Sequence, residues 1–518
     1  MQGSMRIHWF ITAFLLLTEN LALGQGLNRH YLLGYSTGVS TPVVSTRGKF
    51  QFDSTSYLLQ SDSFKMAFRA SQATISDNNG NLVISTNGCW IADATGDTMQ
   101  NGSGLNPGNF SYGLNGWCIN SLLGQPAPAS SLLLPLPGVN NKYILLHETA
   151  STNSSTLRSD GLYYSLVDLS LNNGLGAVTI KNQNVLLDSL NHSISACKHA
   201  NGRDWWIIVL KDSSDIVYTC LLTPSGFSSI AQQHMGYPLL SNYTGQPMFS
   251  FDGRKFATHH YGYLGSGPNF LHEIRINDFD RCTGQFSNPQ FLTFVDSANY
   301  GLGLSFSPNS KYLYWSTFQK IFQLNTDTSD IAASIQQVAT YDNYCFPYSF
   351  TCTDFWLMYL AANGKIYISS GNGVIDMHYI DQPDSGGFAC DVQQHAIRLP
   401  CYTVRNHVNH PNYALGPVTG SVCDSLGVGV EELEQVRNVK IFPNPVKSGG
   451  TVTLYYELPQ NKAGVFELRD AIGKIIYSST LPPWSNIQNV QLPVLVPGLY
   501  HASIRAKESR LSVKILVQ

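Results

Sequence analysis

Gly34-Tyr35-Ser36-Thr37-Gly38 is the first stretch whose residue types could do chemistry. A serine two residues from a glycine on either side is the spacing of an acyl-transfer nucleophile held on a tight strand-to-helix turn. No buried strand is expected before it, so close to the expected signal cleavage site, and no helical period follows, so the pattern assigns no nucleophile. Asp77-Asn78-Asn79-Gly80-Asn81 echoes an oxygen-rich calcium loop, but the twelfth position holds Gly88 where glutamate is required, and a hairpin turn explains the same residues. His259 and His260 are neighbours on an expected strand, point to opposite faces and cannot chelate one ion together. His407 and His410 lie in a Pro/Asn/Gly-rich phrase and read as structural. Asp204, Asp252 and Glu273 are scattered, with no spacing that argues for paired acid–base work. Trp205-Trp206 could stack on a sugar, yet strand alternation sends one of the two into a core and leaves the other open. No catalytic residue, metal ligand or cofactor is therefore expected.

The elements that would carry these residues are strands. In 302–330, Leu302, Leu304 and Phe306 alternate with Gly and Ser, Ser-Pro-Asn-Ser turns the chain, and two more strands follow. The unit returns at 248–260, with Asp-Gly at the turn, and at 359–370, with Asn-Gly. Looser copies fall at 75–86, 136–148 and 198–210. The turns centre on Gly80, Asn141, Gly202, Gly253, Ser310 and Gly364, at spacings of 61, 61, 51, 57 and 54 residues. A meander repeated at that period predicts a β-propeller, because radial repetition buries the sheet faces and protects the edges. Seven blades are expected, with six or eight as alternatives. The seventh would be stitched from residues 28–60 and 392–423, and a ligand would sit at the central opening. A pair of β-sandwiches is the rival architecture.

Composition narrows the partners. Charged residues are 13% of 518 and the net charge is −3, which argues against nucleic acid and anionic membrane surfaces as partners. Arg6 and His8 precede the apolar run Trp9–Leu17, and Ala22-Leu23-Gly24 precede Gln25. This predicts a signal peptide over residues 1–24, cleaved between Gly24 and Gln25. No later run reaches the roughly 20 apolar residues of a membrane-spanning helix. Ten cysteines in an exported chain predict disulfides, since no Cys-x-x-Cys pair favours zinc. The short-range pairs considered are Cys197–Cys220, Cys345–Cys352 and Cys390–Cys401.

From residue 439 the strands shorten and alternate cleanly: seven of them, divided by Pro and Gly turns, predict a small immunoglobulin-like β-sandwich. Pro443 and Pro445 bracket Asn444, and neither can donate to a ladder, so the first strand must stop there. Phe442-Pro443-Asn444-Pro445, Asp470 and Gly473 within "LRDAIGKII", Gly498-Leu499-Tyr500 within "PGLYHASI", and Lys514 within the terminal "SVKILVQ" closely resemble the type A C-terminal sorting domain of type IX secretion cargo. One departure is that the family often ends in a basic-rich strand, where this chain has Lys514 alone. More weakly, "SPNSKYLY", "LAANGKIYIS" and "HPNYALGPVTGSVCDSL" resemble propeller-type repeat regions of exported proteins from gliding and related bacteria.

The resulting expectation is an all-β protein: signal peptide 1–24, β-propeller-like body 25–426, linker 427–438 and sorting domain 439–518. The resemblance implies type IX machinery as a partner, removal of the tail near 427–438, and a mature protein that is extracellular or on the outer-membrane surface. The body would bind or adhere to a surface or extracellular ligand, a glycan or a protein. A secreted hydrolase of glycans or peptides is the alternative.

Overall fold

All six turn residues named above adopt the left-handed backbone region, including the two that are not glycine, Asn141 at φ 60° and Ser310 at φ 63°. Each closes the turn between the first and second strand of an antiparallel meander, as between Ser195–Lys198 and Trp205–Leu210 or between Leu304–Phe306 and Tyr312–Thr317. The computed structural model describes residues 26–35, 47–113, 116–119, 124–150, 158–237, 243–263, 270–297, 302–346, 351–424, 437–458, 463–482, 487–506 and 509–518. The expected signal peptide with Gly24 and Gln25, and Ser36 to Gly38 of the first motif, lie outside these residues. Among them the fold is all-β, with one four-residue α-helix and three short 3-10 turns.

Four four-stranded sheets follow one another through residues 195–403. Before them, an eight-stranded sheet consists of two more four-stranded meanders, joined edge to edge by one parallel pair, Ala177 with Gln100. A three-stranded sheet, His30–Leu33, Arg47–Phe52 and Tyr57–Asp62, opens the described chain. First strands of successive sheets pack side by side around a common centre, Ala73–Ser76 on Ser131–Pro135 and Tyr243–Phe249 on Leu304–Phe306. The apolar clusters lie between sheets. One holds Ala257 and Ile274 of one sheet with Leu304 and Trp315 of the next. Another joins the two ends of the array, packing Tyr31 and Phe50 against Tyr359 and Tyr367. This is a propeller-like arrangement.

The expected stitching of chain ends is corrected in one respect. Val392–Thr403 is the outer strand of the last four-stranded sheet, paired to Val374–Ile380, and does not join the N-terminal sheet. Asn406 lies against His30–Leu33 instead, through hydrogen bonds with Leu32 O and the Tyr31 hydroxyl.

The tail, from Arg437, has seven strands in two sheets. One holds Arg437–Phe442, Thr451–Glu457 and Ile487–Gln491; the other holds Gly464–Arg469, Ile475–Leu481, Gly498–Ala506 and Ser509–Val517. The first strand starts two residues earlier than expected, so Arg437 and Asn438 belong to it; residues 427–436 of the expected linker lie outside the described residues. Alternation places Val452, Leu454, Phe466, Leu468, Ile504 and Ile515 in one shared core. The three-stranded sheet also meets the body. Ile487 packs into the cluster beneath the body strand Ala177–Leu186, and Gln488 Nε2 donates to Gln183 Oε1 at 2.8 Å.

Disulfides link Cys89 to Cys118, Cys282 to Cys423 and Cys345 to Cys352. The other two pairings are corrected, because Cys197, Cys220, Cys390 and Cys401 are free and buried. Cys197 pairs in register with Trp206 and Cys220 with Ile207, adjacent residues on the strand between them, so the two thiols point to opposite faces. Cys390 and Cys401 sit at opposite ends of Val392–Thr403, roughly 30 Å apart at about 3.3 Å per residue.

Candidate functional site

The centre of the body is already occupied by the chain itself. Asn406 donates from Nδ2 to Leu32 O at 2.7 Å, and the Tyr31 hydroxyl donates to Asn406 O at 2.6 Å. Gln72 joins the pair, donating to Leu32 O at 2.7 Å and to Asn406 Oδ1 at 3.1 Å. Three residues on, Asn409 Nδ2 reaches two carbonyls from different meanders, Ser131 O at 3.1 Å and Ile194 O at 2.9 Å. His410 sits between Thr74 and the Tyr359 hydroxyl, and the Tyr413 hydroxyl donates to Leu133 O at 2.7 Å. His407 Nε2 meets Gln246 Nε2 at 2.7 Å, and Gln246 in turn bonds Leu304 N and both backbone groups of Met358. Arg281 Nη2 holds Gly416 O, and the Cys282–Cys423 disulfide fastens the exit.

Segment 406–423 thus touches every sheet of the body, directly or through Gln246. Where the sequence predicts a central ligand opening, what lies beside the segment is a cavity of about 70 Å³. Its lining includes Ser195, Ser250, Ser305, Asn412, Phe251 and Tyr359, and among the described residues that line it there is no carboxylate. Burial holds the His407 and His410 imidazoles down to about 3, so both are neutral in the fold.

The other early candidates are placed plainly. Asp77 accepts from the backbone of Asn79 and Asn81, as a hairpin turn requires. His259 bonds His272 on one face, and His260 bonds Thr258 on the other. Trp205 and Trp206 are both buried, which closes the position left open for sugar stacking; the Trp206 indole N–H donates to Arg281 O at 2.8 Å. Asp204 is paired to Arg203 and Glu273 to Arg275, and among the described residues no three His, Cys, Asp or Glu side chains cluster as a metal site.

Sequence reasoning missed one group, at the mouth where 404–410 enters the centre. The Asp354 carboxyl is buried, accepts the Gly371 N–H at 2.6 Å through Oδ1, and has no partner among the described residues at Oδ2. Burial pushes it up to about 6. The Arg405 guanidinium lies over the Trp356 ring at 5.0 Å, and Arg69 lies over Trp117 at 4.5 Å. The 51 residues between Asp354 and Arg405, and the absence of any local pattern, hid the group.

In the tail, three of the four sorting motifs converge on the terminal strand. Gly498, Leu499 and Tyr500 pair in register with Val517, Leu516 and Ile515. On the other edge of that strand, Asn444 Nδ2 donates to Lys514 O at 2.8 Å and its Oδ1 accepts from Leu516 N at 2.9 Å. Neither neighbouring proline can donate, so the Asn444 amide stands in for a ladder residue. After Pro445, Val446 N–H donates to Leu516 O and Gln518 N–H to Val446 O, each at 2.9 Å. The Pro-Asn-Pro turn is a clasp on the C-terminal strand. Phe442 stacks on Tyr455 at 4.9 Å. Asp470 and Gly473 lie apart from this, in the hairpin turn of the four-stranded sheet, where Asp470 caps Ile472 and Lys474 N–H and Gly473 takes φ 86°.

Residues 440–518 match the family model of the secretion system C-terminal sorting domain. The tail is a secretion sorting domain. It supports the chain as type IX secretion cargo. No curated protein matches the chain. Among solved structures, the chain is similar to a candidate 6-phosphogluconolactonase from Bacteroides uniformis ATCC 8492, at 12% identity over 72% of this chain and 97% of that one, with a TM-score of 0.38. A periplasmic gluconolactonase from Pseudomonas aeruginosa aligns at 13% identity over 90% and 100% of the two chains, with a TM-score of 0.35. The extracellular domain of a Bacteroides thetaiotaomicron two-component system aligns at 11% over 95% and 57%, with a TM-score of 0.36. At these identities and scores, none of them bears on what this chain does. No helix among the described residues is long and apolar enough to cross a membrane.

Proposed function

We propose that the chain is an exported binding protein: a seven-bladed propeller, spanning 25–426, that an immunoglobulin-like sorting domain, 439–518, carries to the cell surface or beyond. The three-stranded N-terminal sheet completed by 404–410 counts as the seventh blade. The tail's three-plus-four strand order supports the immunoglobulin-like reading. One observation carries binding over hydrolysis. The ring centre is filled by segment 406–423, and the small cavity left there is lined by serines, asparagines, aromatics, Cys197 and the neutral His407 and His410, with no carboxylate among the described residues. A ligand, glycan or protein, would then be taken on an outer surface of the ring. Incubating the full chain with insoluble polysaccharides and with denatured protein tests this. Retention without release of reducing ends or peptides is expected, and catalytic turnover would overturn it.

The Asp354 group favours one second reading. A buried carboxyl poised at about 6 beside Arg405 is the environment of a general acid. If turnover of any substrate is found, this reading requires that Asp354→Asn abolish it.

A further inference from the structure

The tail has two sheet faces to offer, and the body takes one of them. Ile487 and Gln488 turn the three-stranded sheet toward the body strand Ala177–Leu186. What faces away is the outer side of the four-stranded sheet, opposite Phe466, Leu468 and Ile504 of the core. Strand alternation puts Glu467, Arg469, His501, Arg505, Arg510 and Lys514 on that outer side, because Glu467 pairs with Ser503, Arg469 with His501, His501 with Lys514 and Arg505 with Arg510.

This face is basic in a chain whose net charge is −3. Among the described residues Glu467 is its one carboxylate, held by Arg469 at 2.8 Å and Arg505 at 3.3 Å. Four fixed cations against one carboxylate leave a local surplus of three positive charges. The arrangement works against folding: Arg505 and Arg510 are direct cross-strand partners, and like charges so placed are destabilising. Among the described residues of the tail, what offsets that repulsion is the single carboxylate and an Arg510 hydrogen bond to Ser503 Oγ at 3.0 Å. A local rule broken without internal gain points to a role outside the fold. Beside the cations stands an exposed apolar pair in register, Leu499 and Leu516, at 47% and 42% exposure.

We propose that this face, centred on Arg505, Arg510 and Lys514, is where an acidic protein surface of the export machinery takes hold of the chain. The proposal rests on reading the tail as a sorting domain. A protein partner fits better than an anionic membrane. Lipid recognition uses clusters of about four to eight basic residues; the four here reach only the lower edge of that range, a carboxylate sits among them and an apolar pair flanks them, the mixture typical of protein interfaces.

The test uses the full chain in a bacterium that has a type IX pathway, following the amount outside the cell and the amount retained in the envelope. Arg505→Glu, Arg510→Glu and Lys514→Glu together are expected to cut export at least tenfold, while Lys65→Glu with Arg254→Glu on the body leaves it unchanged. Should the triple reversal lose protease resistance, the glutamine versions at the same three positions, which keep the strand without its charge, are expected to lower export severalfold. Wild-type export of a folded triple variant, while deletion of 437–518 blocks export, would overturn this proposal and leave the sorting reading standing. Undiminished export after the deletion would overturn both. Cosedimentation of the full chain with phosphatidylglycerol but not phosphatidylcholine vesicles, lost in the triple variant, would assign the face to a lipid surface and overturn the protein partner.

Discussion

Body and tail are both built of antiparallel sheets, yet they close by different means. The tail buries an apolar core between two sheets and adds one polar clasp, Asn444, at its edge. The body packs apolar clusters between sheets and then fills its centre with a polar segment whose amides and imidazoles bond to backbone carbonyls of different sheets. Two sheets facing each other leave no hole. A ring does, and buried polar groups in the hole must be satisfied one by one.

Acid should separate the two most. Burial lowers His30 to about 4, and His147, His378, His407 and His410 to about 3. All five are in the body. With folded values below the unfolded 6.5, the unfolded chain binds more protons as pH falls, so their contribution is whole above about pH 6.5 and is lost toward pH 3. Each can cost the fold up to about 1.4 kcal/mol per pH unit in that window. Asp354, raised to about 6, acts in the opposite sense and offsets part of this. Calorimetry from pH 7 to pH 5 should show the body transition falling by several degrees while the tail transition moves little. Equal shifts would contradict the comparison.

Replacing Cys282 and Cys423 together by serine releases the exit of the central segment and opens a loop of 141 residues, at an expected cost of about 4 kcal/mol to the body. Urea titration should show the loss confined to the body's transition. Asn409→Leu leaves the Ser131 and Ile194 carbonyls unpaired, and about 3 kcal/mol is expected on the same transition. The smallest effect belongs to the clasp. Asn444→Ala removes two hydrogen bonds near the surface, worth about 1–2 kcal/mol, and should speed amide exchange in 514–518 without touching the body.

What could be read in the sequence followed the distance over which each feature is decided. The six turns were legible because Asp-Gly, Asn-Gly and Pro-Asn signals act over four residues, and the tail's seven strands because alternation needs only neighbours. Cys197 and Cys220 misled because closeness in sequence says nothing of which face a strand presents. The central segment was invisible: "NHVNHPNY" looks like any polar loop, and its meaning lies in carbonyls 161 to 374 residues away. The Pro-Asn-Pro turn was half legible. Its prolines announce where a strand ends, while the strand that Asn444 grips, 70 residues on, could not be inferred.

The pairing of Asn406 with Leu32 spans 374 residues. A ribosome adding about 5–20 residues per second needs roughly 20–75 s to travel from one to the other. Throughout that interval the earliest sheet waits for its inner neighbour, and the circle stays a line. The body locks only when nearly all of it has been made.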